Sequence, residues 1–285
     1  MKQPTYMRQR YLLSFVGQLG VGGVSCTNLQ KLIFLNEQNS GVFYYDFIPY
    51  KYGPYSFQLE RDINVLCSAS YLRVSGRRLY LEDSSLVAGT LFIALERGKA
   101  LLKRTYREYP YYAINSAILR KLFSDGEAER ILHSGMPVRS NKSVLFTIGY
   151  EGLSIEAFIN TLIRNNVRLL CDVRKNPVSR KFGFSKSQLE RILPKIKIKY
   201  INIPELGIAS EKRASLNARS DYEDLFSDYR DTISDRMFYL KEVYKLMLKR
   251  NRIALMCYEK NPEMCHRNII RNCLVEMYGM ESVDL

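Results

Sequence analysis

Eleven residues near the C-terminus, Cys257-Tyr-Glu-Lys-Asn-Pro-Glu-Met-Cys265-His266-Arg267, bring together two thiols, the Glu259 carboxylate, one of two histidines and an arginine. Such groups can supply a nucleophile, a proton-transfer pair, a phosphate clamp or metal ligands. A cysteine at a helix start beside His266 and Arg267 has the setting that lowers a thiol's pKa, so Cys265 is a candidate nucleophile, with Cys257 as its companion. The same helix start offers unpaired N–H donors to an anion. The alternative for both thiols is a packed or hydrogen-bonded role, since free cysteine is commonly buried. Zinc ligation by Cys257, Cys265, His266 and Cys171 uses suitable ligand types, yet no closely spaced Cys pair supports it. No metal and no other cofactor is therefore expected.

The elements that must position these groups read as strand, helix, strand, helix. Val144-Leu-Phe-Thr-Ile-Gly is a buried-strand run, and Ser154 caps an amphipathic helix through Phe158, Leu162 and Ile163. Val167 to Val173 is a second strand, Ser185 opens a helix, and Lys199-Tyr-Ile-Asn-Ile is a third strand. One long helix is expected from Tyr222 to Lys249, then a strand over Ile253 to Cys257 and a helix from Cys265. Alternation of this kind calls for an α/β domain with a mainly parallel sheet and helices on both faces. Right-handed crossovers collect the strand ends on one edge.

That edge would gather Tyr150 and Glu151, then Asp172, Arg174, Ser179 and Arg180, then Glu205, then the Cys257 to Arg267 segment. Arg174, Arg180 and Arg267 are candidate phosphate clamps, because a guanidinium fork binds two oxygens and stays charged. Structural ion pairs with Asp172, Glu205 or Glu259 are the alternative. Asp172 is a candidate general base or nucleophile, with Glu151, Glu259 and Tyr150 beside it, and one sequence does not rank the carboxylates. Ser179 and His266 are candidate substrate contacts. Phe182 and Phe184 with Arg180 and Lys181 could stack a base, or else tuck into the core. A Gly-rich phosphate loop with Lys-Ser or Lys-Thr is absent, which argues against an ATPase of that kind.

Four ordered motifs, Thr147 to Tyr150, Asp172 to Arg180, Glu205 to Gly207 and Cys257 to Arg267, resemble the family called domain of unknown function 488. The likeness covers about residues 143 to 279. It implies an α/β domain with a shared polar site, and the family's name leaves the reaction open.

A Gly, Pro, Ser and Asn-containing stretch over residues 133–143 reads as a linker, dividing a domain at 1–135 from one at 143–285. Before it, helices are expected over Arg8 to Leu19 and Asn28 to Asn36, the second preceded by capping candidates Ser25 and Thr27. A helix capped by Ser56 and a hairpin around Ser75-Gly76 follow. This order is that of a mostly helical, winged-helix-like domain. Residues 86 to 132 read as helical, with Leu91, Leu95, Leu101 and Leu102 spaced for burial. Arg73, Arg77 and Arg78 would suit phosphate, or are simply solvated. Tyr106, Tyr109, Tyr111 and Tyr112, interleaved with Arg104 and Arg107, could stack bases, or form a packing surface. Leu29 to Leu35, Ile48-Pro-Tyr-Lys-Tyr-Gly-Pro-Tyr-Ser and the helix ending at Tyr71-Leu72 resemble the Panacea-type antitoxin domain over roughly residues 8 to 85. That resemblance implies a recognition or regulatory module with a protein partner, in a setting such as toxin control or phage defence.

The chain has 285 residues with 43 basic against 29 acidic side chains, a net charge of +14. Residues 1–140 hold 18 basic and 11 acidic residues and 141–285 hold 25 and 18, so each half carries +7. Charge spread over both halves favours nucleic acid or nucleotide phosphate as partner. With no apolar run of membrane length and no signal-peptide core, no membrane partner is expected, and the chain is expected in the cytoplasm with reduced thiols. The expectation that follows is a nucleic-acid- or nucleotide-directed hydrolase, cleaving an N-glycosidic or phosphodiester bond. The alternative is a non-catalytic sensor that binds a modified base or nucleotide and signals to a partner protein.

Overall fold

A computed structural model describes residues 3–83, 94, 96–137, 140–209, 212 and 219–285. Leu91 and Leu95 lie outside the described residues. The chain divides into two compact units, Met1–Met136 and Pro137–Leu285.

The first unit opens with α1 (Met7–Gln18) and α2 (Cys26–Ser40). Ser25 caps α2 by accepting from the Asn28 N–H, so Thr27 falls inside the helix. The aromatic, Pro-rich stretch that follows forms an antiparallel pair, β1 (Ile48–Tyr50) and β2 (Gly53–Tyr55), with Pro49 opposite Pro54. An isolated two-stranded ribbon tolerates prolines because neither has to bond a further strand. Gly53 has φ +96 and lies so close to the Tyr106 ring that a Cβ would clash with it, which explains the glycine of the Lys-Tyr-Gly-Pro stretch. Next come α3 (Phe57–Ser68), capped by Ser56, and the hairpin β3 (Leu72–Ser75) and β4 (Arg78–Leu81). Then α4 (Gly98–Glu108), α5 (Leu119–Leu122) and α6 (Asp125–Gly135) complete the unit.

Of the tyrosines weighed for base stacking, Tyr106, Tyr109 and Tyr112 pack within the unit. Tyr106 is wholly buried and bonds Ser116, while Tyr109 and Tyr112 meet Phe34 edge-on. Arg104 pairs with Glu96 and Glu108, and Arg107 with Glu127. On the hairpin, Arg73 pairs with Glu82, and Arg78 donates to the Gly22 and Gly23 carbonyls.

The second unit is an α/β domain. Its elements are β5 (Val144–Gly149), α7 (Ile155–Arg164), β6 (Leu169–Asp172), α8 (Lys186–Ile192), β7 (Lys199–Asn202), α9 (Arg219–Asp231), α10 (Met237–Arg250), β8 (Arg252–Cys257), α11 (His266–Tyr278) and β9 (Ser282–Asp284). The strands form one fully parallel sheet in the order β7-β6-β8-β5-β9. Every residue of β5, β6 and β8 is buried, the continuous apolar reading that a doubly covered parallel sheet demands. Side chains alternate: Leu145, Leu169, Cys171, Val173, Ile253, Leu255 and Cys257 pack against α9, α10 and α11. The opposite face, with Phe146, Ile148, Leu170 and Met256, is left to α7 and α8.

The helix expected from Tyr222 to Lys249 is two helices, α9 and α10, separated by a tight turn at Ile233–Arg236. Arg236 holds that break by donating to the Thr232 carbonyl and hydroxyl and to the Glu205 carbonyl. Among the described residues, no helix is long and apolar enough to cross a membrane.

Candidate functional site

Register decides which residues meet. Gly149 pairs with Cys257, and Asp172 pairs with both Met256 and Asn202, so four strands end at one level. The chain leaves β6 toward β7 and leaves β8 toward β9, in opposite directions, so the sheet reverses its winding between β6 and β8. Open α/β sheets hold ligands at this reversal. A cavity of about 170 Å³ lies there, lined by Tyr150, Arg174, Lys175, Asn176, Val178, Ile208, Cys257, Tyr258 and His266. A neighbouring hollow of similar size shares Lys175 and Ile208 and adds Glu205, Lys212, Asp228 and Arg236.

On the α7–α8 side, the wall is an arginine held from several directions. Arg174 Nε and Nη2 donate to the two Asp172 carboxylate oxygens at 2.8 and 2.6 Å. Its Nη1 donates to the Tyr150 hydroxyl at 2.9 Å, and Nη2 also donates to the Phe184 carbonyl. The Arg174 backbone N–H and the Tyr200 hydroxyl complete the Asp172 shell at 3.1 and 2.8 Å. Burial disfavours the Arg174 charge, but the Asp172 carboxylate more than offsets it, and the guanidinium pKa ends above its ordinary value. Burial first, and then Asp172, likewise raise the Tyr200 hydroxyl. Tyr150 stacks on Phe184 with ring centroids 4.3 Å apart, and Lys181 Nζ donates to the Tyr150 carbonyl. Asp172 is thus fully buried and saturated with donors, an anchor for Arg174 rather than an accessible base.

On the α9–α11 side lies a thiol and imidazole cluster. Cys257, Cys265 and His266 are all buried, and their donor atoms fall within 4.8 Å of one another. Cys265 occupies the N-cap position of α11, without a side-chain capping bond, after a tight turn at Pro262–Met264. Burial, and then the Cys257 thiol, push the Cys265 pKa well up, opposite to the lowering expected at a helix start. The N-terminal field of α11 is outweighed by desolvation.

Arg267 does not face the cavity. It is buried, donating from Nε to Thr147 Oγ1 at 3.2 Å and from its two terminal nitrogens to the Glu259 and Lys260 carbonyls. It ties the loop after β8 to β5 and α11. Two motif glycines serve the same closeness: a Cβ on Gly149 would overlap the Glu259 carbonyl, and one on Gly207 would overlap the Lys175 backbone.

Of the residues expected at the edge, Tyr150, Arg174, Cys257 and His266 line the cavity, and Glu205 lines its neighbour. Glu151 is exposed and accepts the Lys260 N–H. Ser179 accepts from the Lys181 N–H and lies 3.4 Å from the Tyr150 hydroxyl. Arg180 is exposed on the loop after β6, Glu259 is half-buried, and neither lines the cavity. Phe184 tucks into the core. Lys175, Asn176, Tyr258 and Tyr200 were missed by sequence reasoning. Lys175 and Tyr258 carried a signal, since each immediately follows a residue already placed at a strand end.

The second unit is thus a parallel α/β domain with a polar cavity at the reversal of its sheet. Within it, residues 154–274 match the family model described as Domain of unknown function DUF488, so the C-terminal half resembles that family. The matched span includes Asp172, Arg174, Cys257, Cys265 and His266 but begins after Tyr150. No curated protein and no solved structure matches the chain.

Proposed function

We propose that the C-terminal domain acts on a nucleotide or nucleic acid, taking its phosphate and base into the cavity at the sheet edge and cleaving an N-glycosidic or phosphodiester bond. The observation that supports this reading most is the pairing in that cavity of cations with aromatic rings. The Arg174 guanidinium is held in one pose, Lys175 is exposed beside it, and Tyr150 and Tyr258 meet edge to face at 5.2 Å. Cations neutralise phosphate and aromatic faces stack bases. The charge of +14 supports the same class of partner. Asp172, being saturated, is assigned to positioning Arg174, which leaves Tyr150, Lys175 and Tyr258 as the proton-carrying groups at the cavity wall outside the thiol and imidazole cluster.

One observation favours a second reading. The cavity wall, among the described residues, includes no carboxylate, which suits a sensor that binds a modified base or nucleotide without turnover. In both readings the N-terminal unit, through its likeness to the Panacea-type antitoxin domain, is assigned recognition of a protein partner in toxin control or phage defence. Incubation with normal and modified DNA, RNA and nucleotide pools, with products read by mass, separates the two. A new product supports the hydrolase, binding without product supports the sensor, and a chain that shows no binding and no product sinks both readings.

A further inference from the structure

Cys257 and Cys265 are separated by seven residues, outside the short Cys pairs that announce metal sites in a sequence. The fold removes that separation. The chain leaves β8 at Cys257, turns at Pro262–Met264 and brings Cys265 back to the N-cap position of α11, followed at once by His266. Cys257 Sγ lies 3.9 Å from His266 Nδ1, Cys265 hydrogen-bonds Cys257, and all three donor atoms lie within 4.8 Å of one another. All three residues are at most 1% exposed.

The imidazole is oriented from behind. His266 Nε2 sits 3.1 Å from the Val173 carbonyl, a partner that accepts only an N–H. That contact makes Nε2 the donor and turns Nδ1 toward Cys257 Sγ. Metal-bound histidines characteristically donate their second nitrogen to a carbonyl or carboxylate in this way. Tetrahedral zinc, with bonds of about 2.3 Å to sulfur and about 2.0 Å to nitrogen, holds its donors roughly 3.5–3.8 Å apart. The cluster needs to contract by about 0.4 Å between Cys257 Sγ and His266 Nδ1 and by no more than about 1.3 Å at its widest to meet that spacing.

We infer that Cys257, Cys265 and His266 form a Cys2His site for a divalent transition metal, zinc foremost, with its fourth position turned toward the cavity. Thiolate and imidazole together select zinc over the oxygen-seeking magnesium and calcium. Two thiolates in a dry interior are costly alone, and a divalent cation between them neutralises both. Cys257 and His266 also line the cavity, which is where a fourth ligand from water or substrate would enter. The site stands whatever the cavity's substrate proves to be.

The test is metal analysis of the full-length chain, purified without chelator and also after unfolding with chelator and refolding with zinc or cobalt. One metal per chain is expected, with cobalt giving thiolate charge-transfer absorption and the intense visible bands of a tetrahedral site. Cys265→Ser and His266→Gln should each lose the metal or weaken its binding at least about tenfold, the usual scale for losing a supporting or direct ligand. Cys273→Ser, outside the cluster, should bind as the parent does. Circular dichroism of each variant shows whether the fold survives. A folded parent chain that takes up neither metal, or that binds cobalt without thiolate absorption, overturns the site. So does a folded Cys265→Ser/His266→Gln chain that binds as well as the parent.

Discussion

Asp172 and Arg174, two residues apart at the end of β6, form a two-pronged ion pair with the carboxylate wholly buried and the guanidinium 6% exposed. The contact fixes the arginine in the cavity wall, and it occupies a carboxylate that sequence reasoning offered as one candidate base or nucleophile. Truncating one partner of a buried pair leaves the other charge uncompensated, at about 3–5 kcal/mol. Asp172→Asn should therefore lower the stability of the C-terminal domain by that amount in urea unfolding. Asp172→Asn/Arg174→Met should recover part of the loss, because the orphaned charge is gone. An Asp172→Asn chain as stable as the parent would instead return Asp172 to the list of free catalytic groups.

Gly149 and Gly207 are required for space rather than for backbone freedom, since a Cβ on either would overlap a neighbouring backbone. Gly149→Ala and Gly207→Ala should each destabilise the domain by about 1–3 kcal/mol or more through forced displacement. Thermal melting measures this, and unchanged melting temperatures would mean that the loops after β6 and β8 lie farther from these glycines.

Burial governs the thiols. Cys26 is exposed, whereas Cys171, Cys257 and Cys265 are buried, with the Cys171 thiol pushed up to about 12 by burial and then by Asp172. Alkylation of the native chain at neutral pH should label Cys26 first and leave those three unmodified, as mapped by peptide mass. Rapid labelling of Cys265 would revive it as a nucleophile.

In the N-terminal unit, burial lowers the Lys31 ammonium from its ordinary 10.5 to about 7. Above pH 7 the folded lysine is neutral, while the unfolded one stays protonated to about 10.4, so the unfolded chain binds the extra proton and stability rises with pH across that window. Below pH 7 both states are protonated and the lysine's penalty is complete. Glu37 on the same helix runs the other way: burial first raises it to about 8, so its stabilising effect is full below about 4.5 and is lost as pH rises to 8. Melting of the N-terminal unit should therefore strengthen from pH 8 to 10. Lys31→Met should abolish that rise and raise stability at pH 7, and a variant that kept the rise would assign it to another group.

Strands such as Val144–Gly149 and Arg252–Cys257 were legible in the sequence because a doubly covered strand must be apolar throughout. The gathering of Tyr150, Arg174, Cys257 and His266 at one edge followed from alternation and crossover handedness alone. Strand order did not follow, since nothing local says that β8 inserts between β6 and β5. β9, with only Ser282-Val-Asp284, was too short and polar to show. The inward turn of Arg267 and the donors saturating Asp172 were hidden for a different reason. A charged side chain's partner is set by tertiary packing, and in sequence a clamp and a brace look alike. Cys257, Cys265 and His266 were legible as suitable ligand types, but spacing argued against a metal, because the turn at Pro262–Met264 that closes their sequence gap was not legible.

The proposed seating of a nucleotide or nucleic acid in the cavity at the sheet edge rests on Lys175 and Tyr258. Both are exposed at its wall, so Lys175→Ala and Tyr258→Ala should leave stability within about 0.5 kcal/mol of the parent. Binding of the parent and both variants to DNA, RNA and nucleotide pools, followed across salt concentrations, is the decisive measurement. Binding by the parent that weakens in both variants, with a shallower salt dependence in Lys175→Ala, is the predicted result. A parent chain that binds none of these, or variants that bind as the parent does, would contradict it.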